Sequence, residues 1–336
     1  MRLVAKGYTQ REGVDYNEIF SPVVKYKTVR LMLALVVQFN WELEQLDVKT
    51  AFLHAKLKND IFMSQPQDFV DKGKFDYVCK LEKSLYGLKR SLRQWYKRFD
   101  AYVLKIGFKR SEFDACLYFN DIKSGCEVYL LLYVDDMLLA GSSKTQINEL
   151  KDLLKSKFDM KDLGNARKIL GMVITRDRAK NKLTISQEAY LNKVVTKFGM
   201  KDSKIVNVPL ASHMNFSRDH SPKSESELKE MENIPYANAI GSVMFSMITT
   251  RPDLAFSISL LSRFMSNPGK PHWAGMKWLL RYLVGTLNLG LVYEKRSEEL
   301  TLKGYVDSDF AGDRDSRKST TAYFFTLGDN CITWKS

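Results

Sequence analysis

Val128-Tyr129-Leu130-Leu131-Leu132-Tyr133-Val134-Asp135-Asp136-Met137-Leu138-Leu139-Ala140-Gly141 is the stretch on which the reading of the fold turns. Val128 to Val134 is apolar and strand-like, two aspartates interrupt it, and Met137 to Ala140 resume it. Two short apolar runs joined through a polar pair predict a buried β-hairpin with Asp135 and Asp136 at its bend. Carboxylates in apolar surroundings are costly unless they are paired, hydrogen-bonded or bound to metal. Asp-Asp is also a common solvated turn, and the apolar flanks strengthen the metal-binding reading while leaving the turn the commoner outcome.

Working outward, Asp47 closes a second apolar strand, Leu43 to Val48, which runs on toward Phe52 as a turn or helix start. If the two strands are neighbours, three carboxylates converge. An all-oxygen set suits Mg²⁺, and two ions about 3.5–4 Å apart are the arrangement of two-metal phosphoryl transfer. Apolar spacing predicts helices over 28–39, with Thr28 as a cap, and over 84–104, 144–158, 187–198, 236–248, 252–265 and 272–285. A hairpin is expected from 169–175 with 182–185, and strands over 300–306 and 320–326. The Ser-rich, acidic stretch 211–233, with Pro222, reads as a linker or mobile loop.

The 336 residues are enough for two or three domains. A formal net charge of +13 points to a polyanionic partner, nucleic acid first and an anionic membrane second, with solubility alone as the bland alternative. The start has no apolar run behind a charged head, and the longest apolar runs are too short to span a bilayer, so an intracellular protein is expected. Cys79, Cys116, Cys126 and Cys331 are scattered and read as free thiols. His54, His213, His220 and His272 show no metal spacing.

Tyr133-Val134-Asp135-Asp136 resembles the Tyr-x-Asp-Asp box of reverse transcriptases, and Leu46-Asp47-Val48-Lys49-Thr50-Ala51-Phe52-Leu53 the box holding their first catalytic aspartate. Leu3-Val4-Ala5-Lys6-Gly7-Tyr8-Thr9-Gln10, Phe20-Ser21-Pro22-Val23-Val24 and Ser84-Leu85-Tyr86-Gly87-Leu88-Lys89 are similar to copia-type long-terminal-repeat retrotransposon sequences. So are Lys161-Asp162-Leu163-Gly164, Thr250-Arg251-Pro252-Asp253 and Tyr305-Val306-Asp307-Ser308-Asp309. The boxes stand in family order over almost the whole chain, which resembles the reverse transcriptase region of a Pol polyprotein with the start of RNase H.

The resemblance implies an α+β, right-hand polymerase fold of fingers, palm and thumb, then a connection and an incomplete RNase H-like α/β unit. The expected divisions are 1–208 for fingers and palm, 209–235 for a linker, 236–298 for a helical thumb or connection, and 299–336 for the RNase H start. By the same resemblance, Asp47, Asp135 and Asp136 are the catalytic carboxylates and hold two Mg²⁺ ions, with Mn²⁺ as a substitute. Arg2, Lys6, Val48, Ala51, Phe52 and Arg90 fall on the nucleotide-binding surface. There Val48 would offer a carbonyl to a metal, and the Phe52 ring would exclude a ribose 2′-hydroxyl. Simple core packing is the alternative for Phe52, and a solvated basic terminus the alternative for Arg2 and Lys6. Leu170, Gly171 and Met172 resemble a primer grip, against an ordinary strand with a bulge.

Lys89, Arg93, Lys97 and Arg98, interleaved with Tyr86, Trp95, Tyr96 and Phe99, would grip template phosphate and stack on bases, or form an amphipathic helix. The implied partners are an RNA or DNA template with its primer and dNTPs, with no membrane. The implied place is the cytoplasm, in a virus-like particle, or the nucleus. Arg90 and Leu92 stand where the family usually has Gln and Pro. Asp307 matches the first RNase H carboxylate, but its partners would lie beyond Ser336 and fingers strands before Met1, so no RNA cleavage is expected. The readings to separate are an RNA-directed DNA polymerase, an inactive retrotransposon-derived fragment that at most binds nucleic acid, and an unrelated metal-dependent nuclease.

Overall fold

The computed structural model describes residues 3–57, 60–120, 127–296 and 298–336. Arg2 and Cys126, named above, lie outside the described residues. The chain is mixed α and β and divides into two compact units. One comprises Met1–Thr28 with Trp41–Ala166, the other Val29–Asn40 with Arg167–Ser336. Helix α1 (Tyr26–Gln38) starts in the first and continues in the second. It begins before Thr28, so Thr28 is not its cap. Its hydroxyl instead donates to the buried Asp114 carboxylate (2.6 Å), which also accepts the Lys25 N–H (3.0 Å).

The first unit is built on β1 (Glu42–Val48), a short hairpin of β2 (Phe62–Ser64) and β3 (Val78–Lys80), then β4 (Lys109–Arg110), β5 (Leu117–Phe119), β6 (Val128–Tyr133), β7 (Asp136–Gly141) and β8 (Met160–Asn165). Six of these form one antiparallel sheet in the order β4-β5-β6-β7-β1-β8. The hairpin of β6 and β7 is buried as expected, with Leu130, Leu131, Met137, Leu138 and Leu139 excluded from solvent. Helices α2 (Ser91–Lys105) and α3 (Lys144–Lys157) belong to this unit. The 84–90 segment, expected as helix, is not one. Gly87 has φ of 92°, a left-handed conformation that breaks a right-handed helix, so α2 starts only at Ser91. Trp95 and Phe99 point from α2 into a ring cluster with Phe158 and Tyr118.

One face of β1 carries a buried carboxylate. Glu44 is ion-paired with Lys144 and Lys151, and Lys151 continues to Asp162 (2.8 Å), which also meets Lys155 (2.9 Å). Burial pushes the Glu44 carboxyl up, but the bonds from Lys144 and Lys151 outweigh it and hold it below the usual range. Asp162 is likewise pushed up by burial and pulled well down by Lys151, Lys155 and the Gly164 N–H.

The second unit contains β9 (Lys168–Ile169), β10 (Met172–Asp177), β11 (Lys182–Ser186) and β12 (Gly290–Glu294), an antiparallel sheet in the order β12-β11-β10-β9. The unit also has helices α4 (Glu188–Lys197), α5 (Glu225–Glu232), α6 (Tyr236–Thr249), α7 (Ala255–Ser262) and α8 (Lys270–Gly285), of which α4, α6, α7 and α8 enclose a core that includes Leu191, Val195, Ile240, Val243, Leu279 and Leu283. The stretch read as a linker thus carries α5, which a capping box between Ser224 and Glu227 opens at its N-terminus. A third antiparallel sheet joins β13 (Leu302–Ser308), β14 (Thr321–Leu327) and β15 (Asn330–Lys335).

Two buried arginines tie helix ends in this unit. Arg30 donates to the Ile248 and Thr249 carbonyls (both 2.9 Å) at the end of α6 and to the Ile332 carbonyl (2.8 Å), and stacks on Trp334 (4.0 Å). Arg251 is clamped on Asp253 and donates to the Thr286 carbonyl (2.8 Å) beyond α8. Cations belong at helix C-termini, where unsatisfied carbonyls gather.

The Glu44 cluster generates a stability prediction. Lys151→Ala leaves the buried Glu44 carboxylate with Lys144 alone and is expected to lose about 1–3 kcal/mol in urea unfolding. Glu44→Leu combined with Lys151→Met should recover most of it. Both carboxyls are lowered in the fold, so their contribution is complete above about pH 5 and is lost as the pH falls through the lowered values. A pH-independent unfolding midpoint between about pH 5 and 2 would refute the assignment.

Candidate active site

The site is defined by strand register. In the β1–β7 ladder Asp47 stands directly opposite Asp136, and in the β6–β7 ladder Tyr133 stands opposite Asp136. Val134 and Asp135 therefore form a two-residue loop beside the end of β1. Residues directly opposed in an antiparallel pair point to the same face, with Cβ atoms about 4.5–5.5 Å apart. The Val48 N–H donates to the Asp135 carbonyl (2.8 Å), and the Gln45 amide donates to Asp136 Oδ1 (3.4 Å). All three aspartates are half-buried. β1 and β7 are neighbours, the condition set for the expected meeting of Asp47 with Asp135 and Asp136.

These donors are all oxygen, which fits a hard divalent cation such as Mg²⁺. Among the described residues no three His, Cys, Asp or Glu side chains are gathered at metal-binding distances. The strands are neighbours, but the three-carboxylate cluster expected from the sequence is not formed among the described residues. Ala51 and Phe52 follow on a 3-10 turn, Ala51–His54, entered through Thr50 at φ 51°. Ala51 is buried, Phe52 is half-buried, and the Phe52 ring lies 4.5 Å from the Tyr86 ring.

A backbone joint positions the residues expected on the nucleotide side from the sequence. Val4 forms a parallel bridge with Tyr86, and the Ala5 N–H donates to the Tyr86 carbonyl (2.7 Å). A Cβ on Gly7 would sit 1.8 Å from the Gly87 carbonyl oxygen, and one on Gly87 would sit 2.0 Å from that of Ala5. Two glycines thus allow two backbones to touch, which brings Lys6 and Tyr86 into one neighbourhood. Lys6 is exposed, and Arg90 is half-buried at the start of α2, its Nε enclosed without a hydrogen-bond partner.

The basic segment divides by face. Trp95, Tyr96 and Phe99 are core residues and are not available for stacking on bases. Arg93 donates to the Phe20 carbonyl (2.6 Å) and pairs with Glu18. Lys89 and Lys97 are exposed, and Arg98 is half-buried. In the second unit, Leu170 (φ 52°) and Gly171 (φ 78°) are the two loop residues between the paired Ile169 and Met172. Two positive φ values in a two-residue hairpin loop mark a type I′ turn, not the bulge considered above. Met172 is buried and Gly171 exposed at the tip. Asp307 lies on β13, exposed.

Sequence reading missed two supports. Tyr86 backs the Phe52 ring, and the Trp95 indole N–H donates to the Val134 carbonyl (2.6 Å). Only the presence of these aromatics, not their partners, was visible in the sequence.

Residues 1–212 match the model of the reverse transcriptase (RNA-dependent DNA polymerase) family. The chain belongs to that family, in the copia-type retrotransposon branch that its motifs indicate. It is 48% identical over 335 residues to the retrovirus-related Pol polyprotein from transposon TNT 1-94 of Nicotiana tabacum, covering 100% of this chain and 25% of that one. A putative transposon Ty5-1 protein of Saccharomyces cerevisiae is 33% identical over 291 residues, 87% of this chain and 92% of that one. A solved foamy viral protease–reverse transcriptase in complex with double-stranded DNA aligns with a TM-score of 0.42 and 12% identity, covering 93% of this chain and 48% of that one. The chain spans 25% and 22% of the length of the Pol polyproteins from TNT 1-94 and, in Arabidopsis thaliana, RE1.

The glycine joint yields a prediction. Gly87→Ala meets both a left-handed φ and the Ala5 carbonyl, and should destabilise by more than about 1 kcal/mol. Limited proteolysis should then cut within residues 3–10 faster than in the parent. Equal cleavage rates would show that the joint does not hold that segment.

Proposed function

We propose that this chain is an RNA-directed DNA polymerase, transferring a nucleotide from a dNTP to a primer 3′-hydroxyl on an RNA or DNA template. The observation that carries the reading is Asp47 opposite Asp136 at a strand end, beside the Asp135 loop. Asp47, Asp135 and Asp136 would hold two Mg²⁺ ions, or Mn²⁺ in their place, with the Val48 carbonyl as a further oxygen donor. Bound there, the ions supply an activated primer hydroxyl and charge neutralisation on the triphosphate. The primer 3′-oxygen forms a bond to the α-phosphorus, its proton departs, and the bond to the bridging oxygen breaks to release pyrophosphate.

The chain's own residues then orient the substrates. Lys6, Arg90 and Arg2 meet triphosphate charge. Ala51 leaves room beside the sugar, and Phe52, braced by Tyr86, blocks a 2′-hydroxyl. Leu170, Gly171 and Met172 form the primer grip as a tight turn. Lys89, Lys97 and Arg98 meet template phosphates, while Arg93 secures the Glu18–Phe20 loop that flanks α2.

In this reading 1–208 are fingers and palm, 209–235 a linker, 236–298 a thumb or connection, and 299–336 an RNase H beginning marked by Asp307. The protein works in the cytoplasm, within a particle, or in the nucleus. A fragment that binds nucleic acid without turnover is the second reading. It is favoured by Arg90, whose buried Nε lacks a partner where the family usually has Gln.

The test is dNTP incorporation on a primed poly(rA) template with Mg²⁺. Asp135→Asn should cut it by more than about 100-fold, beyond what changes in supporting residues around a metal cost. Binding without incorporation in the parent selects the second reading. Phe52→Val should raise ribonucleotide use on the order of tenfold, and unchanged discrimination would refute the gate. Primer–template affinity should fall steeply with salt, and Lys97→Ala should flatten the log–log slope by about one. An unaltered slope removes Lys97 from the interface.

A further inference from the structure

The loop that carries Asp135 is strained. It spans two residues between the paired Tyr133 and Asp136. Val134, its first residue, has φ of 55°, and Asp135 is not among the residues with positive φ. One positive φ at the first loop position is the pattern of a type II′ turn, where glycine is the usual occupant. A β-branched residue there is strained and persists only where the surroundings over-determine it.

The surroundings do so. The Trp95 Nε1–H donates to the Val134 carbonyl at 2.6 Å, and the Val48 N–H holds the next carbonyl, that of Asp135, at 2.8 Å. Trp95 is fully buried and cannot swing aside, because His54, Phe99 and Phe158 rings enclose it at 5.9, 5.6 and 5.2 Å. Its bond fixes the plane of the peptide joining Val134 to Asp135. Rotation of that peptide changes ψ of Val134 and φ of Asp135 together, and so re-aims the Asp135 side chain.

We propose that Trp95 is a positioning residue for the aspartate loop: its indole N–H keeps a strained bend in the one shape that presents Asp135 and Asp136 together with Asp47. The proposal rests on the metal-dependent reading of the site, and adds to it a residue from α2 that touches neither substrate nor cation.

Trp95→Phe removes the N–H and keeps a ring in the cluster. Calorimetric titration with Mn²⁺ alone should show affinity weakened about 10- to 100-fold. In metal-free protein, hydrogen exchange over 133–138 and at the Val48 amide should speed up about tenfold. Adding Val134→Gly relieves the strain, so the double variant should recover Mn²⁺ affinity to within about threefold of the parent, a difference near 0.7 kcal/mol. A ring lost only from the core would lower the urea midpoint without this rescue. Parental Mn²⁺ binding with unchanged affinity and exchange in Trp95→Phe overturns the role of Trp95 alone. A parent that binds no Mn²⁺ overturns the metal reading, and the exchange experiment still decides the role of Trp95: faster exchange upholds the indole as the brace, parental exchange overturns it.

Discussion

The register of β1 against β7 is the constraint on which the rest depends. Strand side chains alternate between faces, so a slip of one residue exchanges them all. On β1, Glu44 faces the lysines of α3, whereas Gln45 and Asp47 face the other way, toward Asp136. Slipping by one would bury Asp47 against α3 and take Glu44 away from Lys144 and Lys151. The ion cluster on one face is therefore what keeps the aspartates in line on the other. Its geometry is demanding, since a buried carboxylate without its partners is strongly unfavourable, and that cost disfavours every register but the observed one.

Several of the cations serve the fold rather than an outer surface. Arg30, Arg251 and Lys151 are buried and serve helix ends or carboxylates, and Arg93 is bound to Glu18 and the Phe20 carbonyl. The pairs of Lys151 with Glu44, Arg251 with Asp253 and Arg93 with Glu18 cancel within the formal +13, so that excess is carried by other cations. The helix that carries the basic segment shows the division. Trp95 and Phe99 build the core while Lys97 faces outward, so stacking aromatics and phosphate-binding cations are not on one face. Packing took the aromatics, and only the charges outside remain for a ligand.

Legibility followed the same physics. The β6–β7 hairpin was readable because both strands are buried and apolar on either side of a polar pair. The edge strand β8 was not, because Met160–Asn165 is mostly exposed and polar, and pairing with β1 rather than burial makes it a strand. The start of α2 was misread because Ser84 to Arg90 has helical composition, while Gly87 takes a conformation chosen by the approach of Ala5, distant in sequence. The three aspartates could be placed together from pattern and resemblance. The Trp95 bond to the Val134 carbonyl could not, since no local signal distinguishes a core tryptophan from one that also donates to a turn.

Asp47 opposite Asp136 departs from what a sheet prefers, because like charges directly opposed destabilise a strand pair. A β-branched valine at positive φ beside them is a second local cost. On the other face of the same strand, the carboxylate of Glu44 is matched by two lysines. Unmatched folding economy would remove the first two features and keep the third. Their persistence at one strand end, braced by Gln45, Val48 and Trp95, is the pattern expected where local rules yield to a function that needs negative charge held in place. In the proposed reading, a cation held between the opposed carboxylates would turn their repulsion into attraction, so binding would stabilise the end of the sheet that folding alone leaves strained.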